Sequence, residues 1–341
     1  MNISNSTKDE IRKFLKVPNT HTIMLNQGGA SSCYTAIVKN LIGLKAAKKA
    51  MYLTTGLWSE LALEEAKKHI PVDNIVEVTN TKDSNYTQLT DPSTWNIDAE
   101  ASYLHLCVNE TVHGFEIRED NFPWHMFPQD LVVVGDMSSN IGTFSINWER
   151  YDVIYAGVQK NLGPAGANLT IVRKDLLGKA EEDVPILNNW TVFEQSPGQY
   201  YNTPPVWCIY VTGLNVSYMN QKGGTSFYDR MADAKSRMIY DLIDKSDGYY
   251  VNKTDSNFRS RMNITLRIDK DHTLEKKIIQ DALKNHIINI SGHPANPGLR
   301  ISVYNATPFE ACAVLCRFLD DFRMKNPIQN VISRDYFQAM V

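Results

Sequence analysis

Leu131-Val-Val-Val-Gly-Asp136 and Val153-Ile-Tyr-Ala-Gly-Val-Gln-Lys160 decide how this chain folds. Each is a short apolar run closed by a charged residue. Polar and Gly-rich breaks bound both runs, which makes them strands rather than helices. Asp136 and Lys160 lie 24 residues apart. A carboxylate and an amine at the ends of neighbouring buried strands are costly to leave unpaired. Taken singly, an Asp at a strand end caps a turn and a Lys beside glycine is solvated. Taken together, with Ser and Gly around them, they meet the needs of pyridoxal 5'-phosphate. The lysine forms a Schiff base with its aldehyde, and the acid keeps its ring nitrogen protonated.

Outward from this pair, strand and helix segments alternate. Thr22–Asn26, Ala50–Thr54, Ser102–Leu106 and Leu169–Val172 complete a set of strands, with helices predicted over Ser31–Ala47 and Ser59–His69. The alternation predicts an α/β architecture, a mostly parallel sheet with helices on both faces. Such sheets bind ligands at the carboxyl ends of their strands. Asp136, Lys160, Gly28-Gly29 and Asn109-Glu-Thr111 all fall there. A second unit follows the break at Gln221-Lys-Gly-Gly. It has predicted helices over Ser226–Ile243, Leu274–Asn285 and Pro308–Phe322, and strands over Met262–Ile268 and Leu299–Tyr304. The expected domains are therefore 1–220 and 221–341, with the tail from Asn326 unassigned.

Composition narrows the class. A net charge of -3 argues against nonspecific nucleic-acid binding, which needs a basic footprint. No apolar run approaches the length of a membrane span. The start, Met1-Asn-Ile-Ser-Asn, has neither an apolar signal core nor an Arg-rich pattern, so a cytoplasmic location is expected. Five scattered cysteines do not form a disulfide framework. Cys312 and Cys316 sit one helical turn apart without a further ligand at metal-site spacing, and are expected as packing thiols.

Several residues have the chemistry to complete the cofactor site. Gln27-Gly-Gly-Ala-Ser-Ser follows a strand and opens a helix, and so offers a cradle for the cofactor phosphate. Trp58, after another strand, has an indole to stack on the ring or to fill a core. The Thr111 hydroxyl can bond a ring substituent or cap a turn. Asn202 and Thr203 precede a stiff Pro-Pro, as an anion site or a plain loop. Arg300 stands among apolar strand residues and needs an anionic partner, either a protein carboxylate or a substrate.

Together these segments resemble the phosphoserine aminotransferase family of fold-type I pyridoxal-phosphate enzymes, over about Lys13 to Phe322. The most specific stretches are Tyr155-Ala-Gly-Val-Gln-Lys-Asn-Leu-Gly-Pro-Ala-Gly, Asn109-Glu-Thr-Val-His-Gly, Arg259-Ser-Arg-Met-Asn and Arg300-Ile-Ser-Val-Tyr-Asn-Ala. The resemblance implies a seven-stranded-type sheet, a smaller α+β domain and a homodimer with shared active sites. It implies Lys160 as the Schiff-base lysine, Asp136 as the pyridinium partner, and contacts to the ring from Trp58 and Thr111. Ala30, Ser31 and Gln159 would meet the cofactor phosphate, joined by Asn202 and Thr203 from the other subunit. Arg300 and His293 would bind the substrate. The implied reaction carries an amino group between glutamate and 3-phosphohydroxypyruvate, in serine biosynthesis.

The departures fall on the substrate side. The family's Ser-Ala-Gly-Pro segment and its His-Arg pair have no counterpart before Lys13, and Pro294 stands where an arginine usually follows His293. Ala30-Ser31-Ser32 follows Gly29, and Phe144 occupies a place that tends to be basic. Each lost charge-assisted hydrogen bond costs about 1.5–3 kcal/mol. Two such losses weaken binding roughly a hundredfold or more. An aminotransferase of an unphosphorylated 2-oxo acid, and a truncated pyridoxal-phosphate-binding paralogue without turnover, are the alternatives this leaves.

Overall fold

The computed structural model describes residues 3–328. The chain runs α1 (Ile3–Leu15), β1 (His21–Gln27), α2 (Cys33–Leu41), β2 (Lys49–Thr54), α3 (Leu57–Ala66), β3 (Ile75–Asn80), β4 (Ala101–Cys107), β5 (Asn109–Glu110), β6 (Phe115–Glu116), β7 (Val132–Asp136), β8 (Val153–Gly157) and β9 (Ala167–Arg173). It continues through α4 (Trp190–Gln195), α5 (Val206–Gln221), α6 (Gly224–Asp244), β10 (Asn263–Leu266), α7 (Thr273–Lys284), β11 (Ser291–His293), β12 (Asn296–Ser302) and α8 (Phe309–Lys325).

Seven strands form the main sheet in the order β1-β9-β8-β7-β4-β2-β3. β8, β7, β4, β2 and β3 pair in parallel, while β9 is antiparallel to both of its neighbours. Every residue of β4, β7 and β8 is buried. That is why β7 and β8 open as continuous apolar runs without alternation, while in β4 the buried Ser102 and His105 are hydrogen-bonded to the Ile42 carbonyl and the Tyr155 hydroxyl. Burying each Val, Leu or Ile of these runs contributes about 1.5–3 kcal/mol. Since β1 opposes β9, the carboxyl ends of β1, β2, β4, β7 and β8 share one edge. At that edge Cys107, Asp136 and Tyr155 are consecutive neighbours across the ladder.

A second hydrophobic core collects Ile239, Ile243, Ile264, Leu266, Leu299, Ile301, Leu319 and Phe322 around the three-stranded sheet β10-β12-β11. Buried Cys312 packs into it. Gly223, at φ +115°, breaks the chain between α5 and α6.

The predicted strands and helices recur with shifts of a few residues, and one is clearly shorter. α2 ends at Leu41 rather than Ala47, passing into a tight turn over Ile42–Leu44. α1, β3, α4, α5 and the short strands β5, β6 and β11 carried no prediction. α5 is apolar on all sides, with Ile209, Val216 and Met219 buried while Trp207, Leu214 and Tyr218 are exposed, so it lacks the two-faced pattern that reveals a helix. The tail beyond residue 328 lies outside the described residues. No helix among the described residues is long and apolar enough to cross a membrane.

Candidate active site

The shared strand edge holds a cavity of about 110 Å³, and five strand ends supply its walls. Gly29, Ala30 and Ser31 follow β1, Trp58 follows β2, and Asn109 and Thr111 follow β4. Asp136, Ser138 and Ser139 come from β7 and its turn, and Gln159 and Lys160 follow β8. Seven of the predicted residues therefore meet in one place: Ala30, Ser31, Trp58, Thr111, Asp136, Gln159 and Lys160. Gly28 adopts φ +104°, and a Cβ there would lie 2.9 Å from Ser32 Oγ, so glycine is needed to turn the chain into the cradle. A Cβ added at Gly29 would meet open space.

Asp136 is 4% exposed. Its Oδ1 accepts hydrogen bonds from the Ser138 N–H at 2.9 Å and the Ser138 hydroxyl at 2.5 Å. Among the described residues the carboxylate has no ion pair. Burial pushes its carboxyl above the usual carboxylate range, against the pull of the Ser138 hydrogen bonds and the Lys160 charge. Beside it, the Tyr155 hydroxyl lies 2.8 Å from His105 Nε2. Burial drives the His105 imidazole down to about 3, so it stays neutral.

Lys160 Nζ donates to Thr111 Oγ1 at 2.8 Å and stands 5.5 Å from the centre of the Trp58 ring. Among the described residues that hydroxyl is the amine's sole hydrogen-bond partner. The Trp58 indole N–H is buried without an acceptor among the described residues. One cavity thus holds an amine without a carboxylate, a buried carboxylate without a cation, and an aromatic wall beside them. This donor set fits pyridoxal phosphate: the acid suits a protonated ring nitrogen, the amine an aldehyde, and the glycine-led helix start a phosphate.

Glu110 was not singled out from the sequence, yet it fixes the aromatic wall. Fully buried, it accepts from the N–H groups of Trp58 at 3.0 Å and Ser59 at 2.9 Å, and from the Ser59 hydroxyl at 2.6 Å. Its carboxylate caps the start of α3, where the helix presents free N–H groups. A Cβ on Gly56 would come within 2.4 Å of Glu110 Cδ, so only glycine admits this approach. Ser138 and Ser139 also went unassigned. The Asp-x-Ser spacing in Asp136-Met-Ser was the available signal, since short polar side chains bond the backbone two residues away.

The remaining predicted residues lie outside the cavity lining. Asn202 and Thr203 are exposed on the segment before α5. Arg300, on β12, lines a separate groove with His286 and Tyr304. Among the described residues its guanidinium has neither hydrogen bond nor ion pair, so no protein carboxylate answers the need read from the sequence. His293 Nδ1 accepts from the Ala295 N–H at 3.1 Å, within the β11–β12 turn.

Comparison with known proteins places this geometry. The model of the family Aminotransferase class-V matches residues 1–312. A probable phosphoserine aminotransferase of Dictyostelium discoideum is 36% identical over 325 residues, covering 95% of this chain and 85% of the relative. The phosphoserine aminotransferase of Drosophila melanogaster is 37% identical over 327 residues, covering 95% and 87%. The solved phosphoserine aminotransferase of Bacillus circulans subsp. alkalophilus aligns with a TM-score of 0.87 at 32% identity, covering 95% of this chain and 86% of that one. The enzyme of Trichomonas vaginalis, solved with pyridoxal phosphate bound, aligns at 0.86 with 31% identity, covering 93% and 87%.

Proposed function

We infer from one premise, that the chain belongs to the aminotransferase class-V family and within it to the phosphoserine aminotransferases, that it moves an amino group between glutamate and 3-phosphohydroxypyruvate. The observation that carries this reading is the meeting, in one cavity, of the unpaired carboxylate of Asp136 and the amine of Lys160. Pyridoxal phosphate supplies an aldehyde that carries amino groups and a ring that stabilises negative charge at the substrate Cα.

Lys160, Asp136, Trp58 and Thr111 would hold the ring, with Ala30, Ser31 and Gln159 at the phosphate. Lys160 Nζ would take the proton from the Cα of the amino donor and, in the second half-reaction, deliver one to the Cα of the oxo-acid acceptor, within reach of the Thr111 hydroxyl that steadies it. Asp136, kept in place by Ser138, would hold the proton on the ring nitrogen. Trp58, anchored by Glu110, closes one face against water. Arg300 would bind the substrate α-carboxylate, a role supported by its lack of a protein partner among the described residues, and His293, on the neighbouring strand β11, would join it in binding the substrate.

The test is a half-reaction assay on the cofactor-loaded protein. O-Phosphoserine and glutamate should each convert the bound cofactor to its amino form, read by loss of visible absorbance, and alanine should not. Conversion by serine but not by O-phosphoserine would replace this reading with an aminotransferase of unphosphorylated 2-oxo acids. Pro294, in place of an arginine, is the feature that favours that second reading.

A homodimer and a cytoplasmic location belong to the same proposal. On α5, Trp207, Tyr210, Leu214 and Tyr218 form an exposed stripe at helical spacing, with Trp207 70% exposed. Asn202 and Thr203 lead directly into this stripe, which supports their reaching the partner's cofactor phosphate. Trp207→Glu should yield a monomer in sedimentation that also releases cofactor readily. A monomer that keeps its cofactor would remove Asn202 and Thr203 from the site. We also place the domain boundary at 220–221, where limited proteolysis should cut first within Gln221–Gly224.

A further inference from the structure

The run Arg259-Ser-Arg-Met-Asn263 has no part in the chemistry above, yet it sits in a buried cluster of hydrogen-bonded polar side chains. Ser260 and Asn263 are fully buried and Asn109 is 2% exposed. Asn109 Nδ2 donates to Ser139 Oγ at 2.7 Å and to Asn263 Oδ1 at 2.8 Å. The Ser260 hydroxyl donates to Asn109 Oδ1 at 2.6 Å, and the Ser139 hydroxyl to the Asn109 carbonyl at 2.7 Å. Asn263 Nδ2 donates to Ser302 Oγ at 3.0 Å and to the Tyr304 hydroxyl at 3.1 Å. Both amides thus have every donor engaged and their carbonyl oxygens occupied.

The cluster joins two functional regions. On one side, Asn109 and Ser139 line the cofactor cavity, within two residues of Thr111 and three of Asp136. On the other, Asn263 pairs with Ser302 across the β10–β12 ladder, and Arg300 pairs with Thr265 at the next position on the same face. A fully satisfied buried network admits one arrangement, whereas an apolar contact of equal area tolerates sliding.

We propose that Asn263 is a positioning residue, which holds the strand bearing Arg300 at a fixed distance from the cofactor cavity and so sets the reach of the site for the substrate carboxylate. The proposal rests on Arg300 as the carboxylate ligand.

The experiment measures two affinities on each variant: pyridoxal phosphate for the apoprotein, and glutarate, an unreactive dicarboxylate, for the holoenzyme. Asn263→Ala should weaken glutarate about tenfold, the scale of one well-placed hydrogen bond, and change cofactor affinity less than about twofold. Tyr304→Phe, which deletes one hydroxyl from the cluster and spares the fold, should weaken glutarate about threefold with the same selectivity. Arg300→Lys should weaken it more than either, and adding Asn263→Ala to Arg300→Lys should cost little further, because the two act through one contact. Equal losses of cofactor and glutarate, in Tyr304→Phe or in Asn263→Ala, would overturn the proposal, as would losses that multiply in the double variant. Normal glutarate binding by Arg300→Lys would instead overturn the assignment of Arg300, and the proposal with it.

Discussion

The cofactor cavity and the turn that follows β12 satisfy their polar groups in opposite ways. In the cavity, among the described residues, Asp136 is buried without an ion pair, Lys160 rests on one hydroxyl, and the Trp58 N–H has no acceptor. At that turn, Lys235 of α6 is 1% exposed, and its Nζ donates to the carbonyls of Val303, Tyr304 and Thr307 at 2.9, 2.8 and 3.1 Å. The Asn305 N–H, in the same turn, reaches Asn161 Oδ1 at 3.0 Å, one residue past Lys160. A half-buried lysine and a fully buried one thus differ in how many partners they have. Lys160 keeps bonding capacity for a ligand, while Lys235 spends its capacity on the fold.

Substituting the two lysines gives the sharpest separation. Lys160→Ala should lower the glutamate half-reaction at least about a thousandfold, since a positioned general base alone contributes about 10²–10⁴. Borohydride should no longer fix the cofactor to the protein, read by intact mass. The fold should melt much as before, because the amine's one partner, Thr111, lies at the cavity wall. A variant still fixed to its cofactor would move the covalent role to another lysine.

Lys235→Met should do the reverse. Leaving buried carbonyls without a donor costs about 1–3 kcal/mol for each group that finds no replacement. A loss of about 3 kcal/mol in urea unfolding is expected, with cofactor affinity unchanged. Unaltered stability would mean that water or a rearranged turn satisfies those carbonyls, and the contrast between the two lysines would be lost.

The same contrast explains what could be read from the sequence. The cavity was legible because parallel strands buried on both faces leave continuous apolar runs, and ligand residues follow their carboxyl ends. Ala30, Trp58, Thr111, Asp136 and Lys160 each stand within four residues of such an end. The joint at Asn109 was not legible, since its hydrogen bonds span 30 and 154 residues and no local spacing announces them. Glu110 was hidden for the same reason, because its partners lie in a different strand-to-helix turn. α5 escaped because one side packs on the chain while the other is bare, yet both are apolar.

The smallest expected effect is the most direct probe of the cavity's unspent charge. Burial raises the Asp136 carboxyl above its ordinary value in the ligand-free protein. A raised folded value means that the neutral acid is the form the fold prefers. Its contribution to stability is complete below the unfolded value, about 3.9, and is lost as pH rises through the raised folded value. Asp136→Asn removes that loss. Free of cofactor, the variant should melt above the parent at pH 8, and the gap should close as pH falls towards 4. With saturating pyridoxal phosphate the order should reverse at pH 8, because the parent alone offers an anion to a protonated ring nitrogen. A cofactor-free Asp136→Asn that melts below the parent at pH 8 would show that Ser138 already compensates the buried charge, and the carboxylate would then belong with Lys235 among the groups spent on the fold.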